Sequence, residues 1–228
     1  MFYLLPPDLR TKTSNQPIVA SDLARLLLIE KALNEGYRCV IWCDADFLIF
    51  APDEFILSED LYGFGREVWV QTADSSIQAG DDELTLKTYT KIHNAFMFFR
   101  AGNPFLSFYV DSIRRMLHKH QGPYVTQIAG PKFLSAIHNI TQQPVVEIAA
   151  MLSPMVIRDL IAGEGPALRM FLQKSRVSPA GVNLCSSLIE KNEICNDELM
   201  QVLKLLLENP ELLHVEPGES LRSGNQRP

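Results

Sequence analysis

The chain has 228 residues, of which 46% are hydrophobic and 21% are charged, and its formal net charge is −6 at pH 7. This size and composition predict a folded protein with one substantial core and exclude a mainly disordered chain. The acidic balance and the lack of a basic stripe exclude a nucleic-acid-binding surface, because phosphate backbones are held by clustered Lys and Arg.

The two ends of the chain and its cysteines bear on location. Residues 1–5 meet two prolines too early for a signal-peptide core, and no later apolar run approaches the roughly 18 residues of a membrane-spanning helix. We therefore expect a cytoplasmic protein with no transmembrane segment, and peripheral association with a membrane stays open.

Four cysteines without Cys-x-x-Cys spacing predict reduced thiols with packing roles. The polar tail 215–228 is predicted to be disordered, which leaves 1–214 as a single domain.

The first predicted elements are a helix and a strand. Apolar spacing predicts an amphipathic helix over 21–34, capped near Ala20 or Ser21 and followed by Gly36. The uncharged run 39–43 then follows a glycine, which is typical of a strand buried on both faces of a parallel sheet.

Further strands are predicted at 68–70 and 95–99, with a polar loop over 72–90 between them. Asn103 is expected to cap the next helix, with Pro104 at its first position. The later part of the chain reads as mainly helical, with candidate helices at 131–137, 153–162, 166–173 and 196–207. The pattern predicts an α/β fold whose central sheet is mixed or mostly parallel and flanked by helices, with a helical C-terminal third.

The chemistry concentrates at Asp44-Ala45-Asp46, directly after the predicted buried strand. In extended backbone, residues two apart project to one side, so both carboxylates are expected to converge at the sheet edge where open α/β sheets bind ligands. Mg²⁺ and Mn²⁺ prefer such oxygen ligands and complete their shell with water and substrate phosphates. A bare Asp-x-Asp is also common in solvated turns, which is the alternative interpretation.

Together with the helix before it, this segment resembles a known family. The Ser21-Asp22-x-x-Arg25 helix, Gly36-Tyr37 and the strand that ends in Asp44-Ala45-Asp46 resemble the Asp-x-Asp glycosyltransferases. That family includes capsular-polysaccharide transferases, initiating mannosyltransferases and the catalytic domains of glucosylating toxins. The resemblance continues at 94–97 and 102–105 and faintly at 130–131, and it covers about half of the chain.

The resemblance implies a GT-A type nucleotide-diphospho-sugar transferase fold and a retaining transfer from a UDP- or GDP-sugar to an acceptor hydroxyl. It implies that Asp44 and Asp46 hold Mn²⁺ or Mg²⁺, and that Asp44 also contacts the donor. The other implied substrate-binding residues are Ser21, Asp22, Arg25, Trp42 and Asn94. No catalytic base is assigned, and the acceptor stays open between a glycan, a lipid-linked molecule and a protein.

Each of these roles has a plainer alternative. Asp22 and Arg25 could form a surface ion pair on one helix, Trp42 a core aromatic and Asn94 a turn residue at a strand end. Relatives usually carry a strand and loop that grip the nucleotide base, and only about twenty residues precede Ser21, so we expect an incomplete base pocket.

Two other classes of function stay open. An apolar strand that ends in Asp-x-Asp also begins the haloacid-dehalogenase-like phosphatases, in which Asp44 would be the nucleophile, although Phe47 is atypical for them. The third possibility is a non-catalytic relative that binds a glycan or a partner protein. The polar loop and the helical C-terminal third are expected to shape the acceptor site.

Overall fold

The computed structural model describes residues 2–73, 85–120, 123–125 and 127–215, and the predicted tail therefore lies almost wholly outside the described residues. Within these ranges there are seven α-helices: α1 (Pro7–Lys12), α2 (Pro17–Asn34), α3 (Leu106–Lys119), α4 (Pro131–Thr141), α5 (Pro154–Ala162), α6 (Pro166–Lys174) and α7 (Asn196–Glu208). Seven strands are described: β1 (Cys39–Cys43), β2 (Phe47–Ile49), β3 (Tyr62–Thr72), β4 (Leu86–Arg100), β5 (Val145–Val146), β6 (Ala149–Met151) and β7 (Gly181–Asn183). The α/β class is thus confirmed.

The strands form two mixed sheets. The first has the order β1-β4-β3-β5, and β1 runs antiparallel to β4 with Trp42 opposite Met97. The second has the order β2-β7-β6, in which β7 pairs antiparallel with β2 and parallel with β6. Of the two predicted alternatives, the mixed sheet is therefore confirmed and the mostly parallel sheet is wrong, because apolar runs do not reveal the direction of their neighbours.

Strand β1 is the end strand of its sheet, not a strand buried on both faces. Val40 and Trp42 pack against the hydrophobic core, whereas Ile41 is 51% exposed. An uncharged run of five residues predicted burial on both sides, but a strand at the end of a sheet needs only one buried face.

Among the four free cysteines only Cys185 is buried, while Cys43 and Cys195 are exposed.

Helix α2 begins at Pro17 and not near Ser21. Pro17 occupies the first helical position, where its missing N–H is no loss, and Gln16 is the N-cap residue. The predicted cap at Ala20 or Ser21 is therefore wrong, and Ser21 is an interior residue of the helix. The end of the helix is as predicted, because Gly36 follows it with a φ of +100°, a region that favours glycine.

The remaining predictions divide between confirmed and corrected ones. Both predicted strands lie inside longer ones, β3 and β4, and the predicted loop is partly wrong because 86–90 belong to β4. The loop residues 74–84 lie outside the described residues. The predicted cap at Asn103 with Pro104 at the first helical position is wrong, because Phe105 is the N-cap residue and Leu106 begins helix α3. Asn103 Oδ1 still accepts the Leu106 N–H at 2.9 Å. The four candidate helices in the later part of the chain are confirmed as α4–α7.

The chain divides into two compact units. Unit 1 comprises Met1–Cys43, Ser58–Phe64 and Ile92–Val145, and unit 2 comprises Asp44–Leu57, Gly65–Lys91 and Val146–Pro228. The core of unit 1 packs α2 and α3 with the end of β4, and the core of unit 2 packs α5, α6 and α7 with β7. Compactness of two units does not by itself decide whether 1–214 is one domain, so that expectation stays a prediction.

Candidate functional site

Asp44 and Asp46 lie in a tight turn of unit 2. Strand β1 ends at Cys43 and β2 begins at Phe47, whose N–H donates to the Asp44 carbonyl at 3.0 Å. The expectation that both carboxylates project from extended backbone is therefore wrong, since alternation along a strand does not apply in a turn. Both acidic residues are half-buried.

The Asp46 carboxylate is fixed by three hydrogen bonds. Asn183 Nδ2 donates to Asp46 Oδ1 at 2.9 Å, and both the N–H and the hydroxyl of Ser186 donate to Oδ2 at 2.8 Å. The Asn183 amide is itself oriented, because its Oδ1 accepts the Cys185 N–H at 2.9 Å. All three donors to Asp46 are neutral, so they orient the carboxylate without cancelling its charge.

The end of strand β7 places these donors. Asn183 is the last residue of β7 and pairs with Phe47, the residue after Asp46. Cys185 then takes a left-handed conformation with a φ of +53°, which few non-glycine residues adopt. This bend leads into a short 3₁₀ helix, Ser186–Leu188, whose first residue donates to Asp46. Local backbone strain of this kind is found most often at functional sites.

The surroundings of Cys185 carry negative charge. Burial raises the pKa of the Cys185 thiol well above its usual range, and the charges of Asp46, Glu67 and Asp44 raise it further. The positive charge of Lys191 lowers the pKa of the same thiol, but its effect is smaller than that of burial or of any of the three carboxylates. Three carboxylates of unit 2 thus lie near enough to this buried thiol to oppose its ionisation.

The residues at the turn offer donor atoms of the kind that a hard divalent ion prefers. These are carboxylate oxygens, and from the described residues Asp46 Oδ1 accepts one hydrogen bond, so a lone pair is left. Among the residues that the structure describes, no group of three or more His, Cys, Asp or Glu side chains is arranged around one point. Two carboxylates suffice for Mg²⁺ or Mn²⁺ when substrate phosphates and water supply the remaining ligands.

A second polar cluster lies within unit 1. Asp22, Arg25 and Asn94 are only 4%, 8% and 6% exposed. Arg25 pairs with Asp22 at 3.3 Å and donates to the Asn94 carbonyl at 3.1 Å, and Asn94 Nδ2 donates to Asp22 Oδ1 at 2.9 Å. A surface ion pair is therefore excluded for Asp22 and Arg25. Asn94 lies inside β4 and is not a turn residue at a strand end.

Trp42 and Gly130 complete the surroundings of this cluster. The Arg25 guanidinium lies 5.1 Å from the centroid of the Trp42 ring, which also packs against the core of unit 1. A Cβ on Gly130 would lie 2.8 Å from Asn94 Nδ2, so only glycine allows this close approach. Ser21 is a half-buried residue of α2 beside Asp22.

The structure thus brings Asp22, Arg25, Trp42 and Asn94 together in unit 1 and surrounds Asp46 with donors in unit 2. Sequence reasoning missed Asn183 and Ser186. The local pattern offers only the short run 180–182 before Asn183, which is too brief to show a strand period and does not reach Ser186.

Comparisons with known proteins add no relatives. A scan against protein-family models and searches of curated proteins and of solved structures gave no significant match. In the described ranges, no helix has the length and apolar character needed to cross a membrane.

Proposed function

We propose that the protein is a metal-dependent glycosyltransferase of the GT-A type that moves a sugar from a nucleoside-diphosphate sugar to an acceptor hydroxyl with retention. The observation that carries the proposal is the Asp46 carboxylate, which three neutral donors hold in a turn directly after an apolar strand. A carboxylate that is oriented but not neutralised attracts a cation. The proposal includes a cytoplasmic location.

In this reaction the difficult step is the growth of negative charge on the departing diphosphate. Mn²⁺ or Mg²⁺ at Asp44 and Asp46 would supply Lewis-acid stabilisation of that charge. Asp46 binds the ion, and the donors from Asn183 and Ser186 fix the direction of its carboxylate. Asp44 contributes the second carboxylate and contacts the donor substrate. An oriented carboxylate needs little reorganisation when the ion arrives, which is the advantage of a preorganised site.

The proposal also gives the polar cluster of unit 1 a substrate-binding role. Asp22 and Asn94 offer oxygen and amide groups to sugar hydroxyls, and Arg25 offers a fixed positive charge. Trp42 lies on the same cluster through its contact with Arg25, and Ser21 precedes Asp22 on α2. The buried pair costs desolvation energy, and the proposal takes substrate binding as the reason for which the pair is retained.

Calorimetric titration of UDP- and GDP-sugars, with and without Mn²⁺, tests the proposal. We expect binding that requires Mn²⁺ in the wild type, and loss of that binding in Asp46→Ala. Asp53→Ala is the matched control, since Asp53 is an exposed carboxylate of the same unit. No nucleotide-sugar binding in the wild type would overturn the proposal and favour a non-catalytic module.

A second assay separates the transferase from the phosphatase. We expect slow, Mn²⁺-dependent hydrolysis of the bound nucleotide sugar, because transferases of this kind pass the sugar to water when no acceptor is present. Phosphate release from a generic ester that Asp44→Asn abolishes would instead establish a phosphatase with Asp44 as its nucleophile. The two products, free sugar and inorganic phosphate, are measured separately in the same reaction.

A further inference from the structure

The charge of the chain is distributed unevenly. Residues 92–145 contain five Arg or Lys residues and one acidic residue, Asp111, for a net charge of +4, whereas the whole chain has −6. The rest of the chain therefore carries −10. The single acidic residue lies 3.8 Å from Arg114 in an i, i+3 pair on α3. A basic segment within an acidic chain marks a surface for an anionic partner.

Helices α3 and α4 of unit 1 carry exposed apolar side chains in this basic segment. Phe108 on α3 is 48% exposed and Ile140 on α4 is 78% exposed. The rings of Phe108 and Phe133 are 6.4 Å apart, so the two helices present a continuous apolar surface. Ile140 lies seven residues after Phe133, which puts both on one side of α4. Exposed contiguous apolar surface on a folded unit indicates an interaction site.

Basic side chains lie beside these apolar ones. Arg115 and Lys119 follow Phe108 by seven and eleven residues, so the three lie on one side of α3, and both basic residues are exposed. Lys132 is an exposed neighbour of Phe133 at the start of α4. We call this surface the α3–α4 face; its members are Phe108, Arg115, Lys119, Lys132, Phe133 and Ile140.

The aromatic members of the α3–α4 face pack against buried aromatic rings of unit 1. Phe133 stacks on Tyr109 with a centroid distance of 5.1 Å, and Phe108 contacts Phe105 at 5.7 Å. Tyr109 is fully buried and donates its hydroxyl to the Ala129 carbonyl at 2.7 Å. The exposed Phe108 ring and the half-buried Phe133 ring are therefore held by the core of unit 1 and do not need ordering when a partner binds.

We propose that the α3–α4 face docks on an anionic membrane surface. Apolar side chains flanked by Lys and Arg are the combination that interfacial helices use, since the apolar groups enter the acyl boundary while the cations contact acidic headgroups. Charge complementarity favours a membrane over a symmetric dimer, because a second copy docked through the same face would bring another basic face against this one. The inference does not rest on the proposed transferase activity.

Co-sedimentation of the full chain with vesicles tests this inference. The vesicles are phosphatidylcholine alone, and phosphatidylcholine with phosphatidylglycerol at roughly 2:1. We expect binding to the anionic vesicles at ~0.05 M NaCl, little binding to the neutral ones, and loss of binding at ~0.5 M NaCl, where surface charges are screened. Ile140→Glu and Lys119→Glu should each weaken the binding by about tenfold.

Two matched variants serve as controls. Met200→Glu replaces an apolar residue that is 62% exposed, and Lys204→Glu reverses an exposed charge; both lie on α7 in unit 2. We expect both controls to bind vesicles like the wild type. Equal loss in the controls, equal binding to neutral vesicles, or no binding of the wild type would overturn the inference. A wild-type dimer that Ile140→Glu converts to a monomer would also overturn it and assign the face to self-association.

Discussion

Replacement of Asp22 by Asn tests whether the polar cluster of unit 1 is desolvated. The new side chain has nearly the same shape, so the change removes a charge without opening a cavity. Arg25, which is only 8% exposed, then keeps its charge without its carboxylate partner at 3.3 Å. Removal of one partner of a buried pair costs about 3–5 kcal/mol. The Asn94 carbonyl and the Trp42 ring still contact the guanidinium, so we expect about 3 kcal/mol.

The assay is urea denaturation followed by tryptophan fluorescence. The chain has two tryptophans, and Trp69→Phe leaves Trp42 as the reporter of unit 1. The control is Lys31→Ala, which breaks an exposed pair with Glu35 on the same helix and should cost less than ~0.5 kcal/mol. A loss below about 1 kcal/mol for Asp22→Asn, or no recovery when Arg25→Met is added, would refute the reasoning.

Three further predictions concern other parts of the chain. Gly130→Ala should destabilise unit 1 by roughly 1–3 kcal/mol, because its Cβ meets Asn94, and an unchanged melting curve would contradict this. Asn183→Ala should weaken Mn²⁺-dependent binding of nucleotide sugar at least about tenfold, because Asp46 loses an orienting donor; unchanged affinity in calorimetry would contradict it. A backbone amide at the start of α7 lowers the pKa of Glu198 below its ordinary 4.5. The ionised Glu198 side chain therefore stabilises the folded protein fully above pH 4.5, and this stabilisation disappears as the pH falls through the pKa of the folded state. The difference in melting temperature between wild type and Glu198→Gln should therefore shrink from pH ~6 to ~3, and a constant difference would contradict it.

The sequence predicted best those elements whose signals are local. Pro131, Pro154 and Pro166 each occupy the first position of a helix, and the helices that they begin were predicted within a few residues at both ends. Gly36 likewise marks the end of α2. Proline and glycine act on the backbone of their own segment, so their effect does not depend on which part of the chain packs nearby.

The environment of β1 could not be predicted in the same way. An apolar run indicates a strand, but its burial depends on which strands pair with it and what covers each face. Here Ile41 faces outwards while Val40 and Trp42 face the core. The start of α2 differs from the prediction for another reason: apolar spacing becomes clear only at Leu23, whereas Pro17 already occupies the first helical position.

The partners of Asp46 lie beyond the reach of local pattern reading. Asn183 and Ser186 follow it by 137 and 140 residues, and only the pairing of β2 with β7 brings them to the carboxylate. Strand β7 has three residues, too few for a periodicity. The acidic pair itself was found because two carboxylates beside apolar segments need compensation, a requirement that the sequence does show.

The requirement for compensation is met in different ways at Asp22 and at Asp46. Asp22 faces a guanidinium, so its charge is cancelled where it lies, and what it retains is the capacity to accept hydrogen bonds. Asp46 instead receives three neutral donors, which replace water without supplying positive charge. A carboxylate in that condition still attracts a cation, and the nearby Asp44 adds to the attraction. Ser186→Ala should therefore loosen the orientation of Asp46 and weaken Mn²⁺ binding. Some cation binding should remain, because the Asp46 carboxylate keeps its charge.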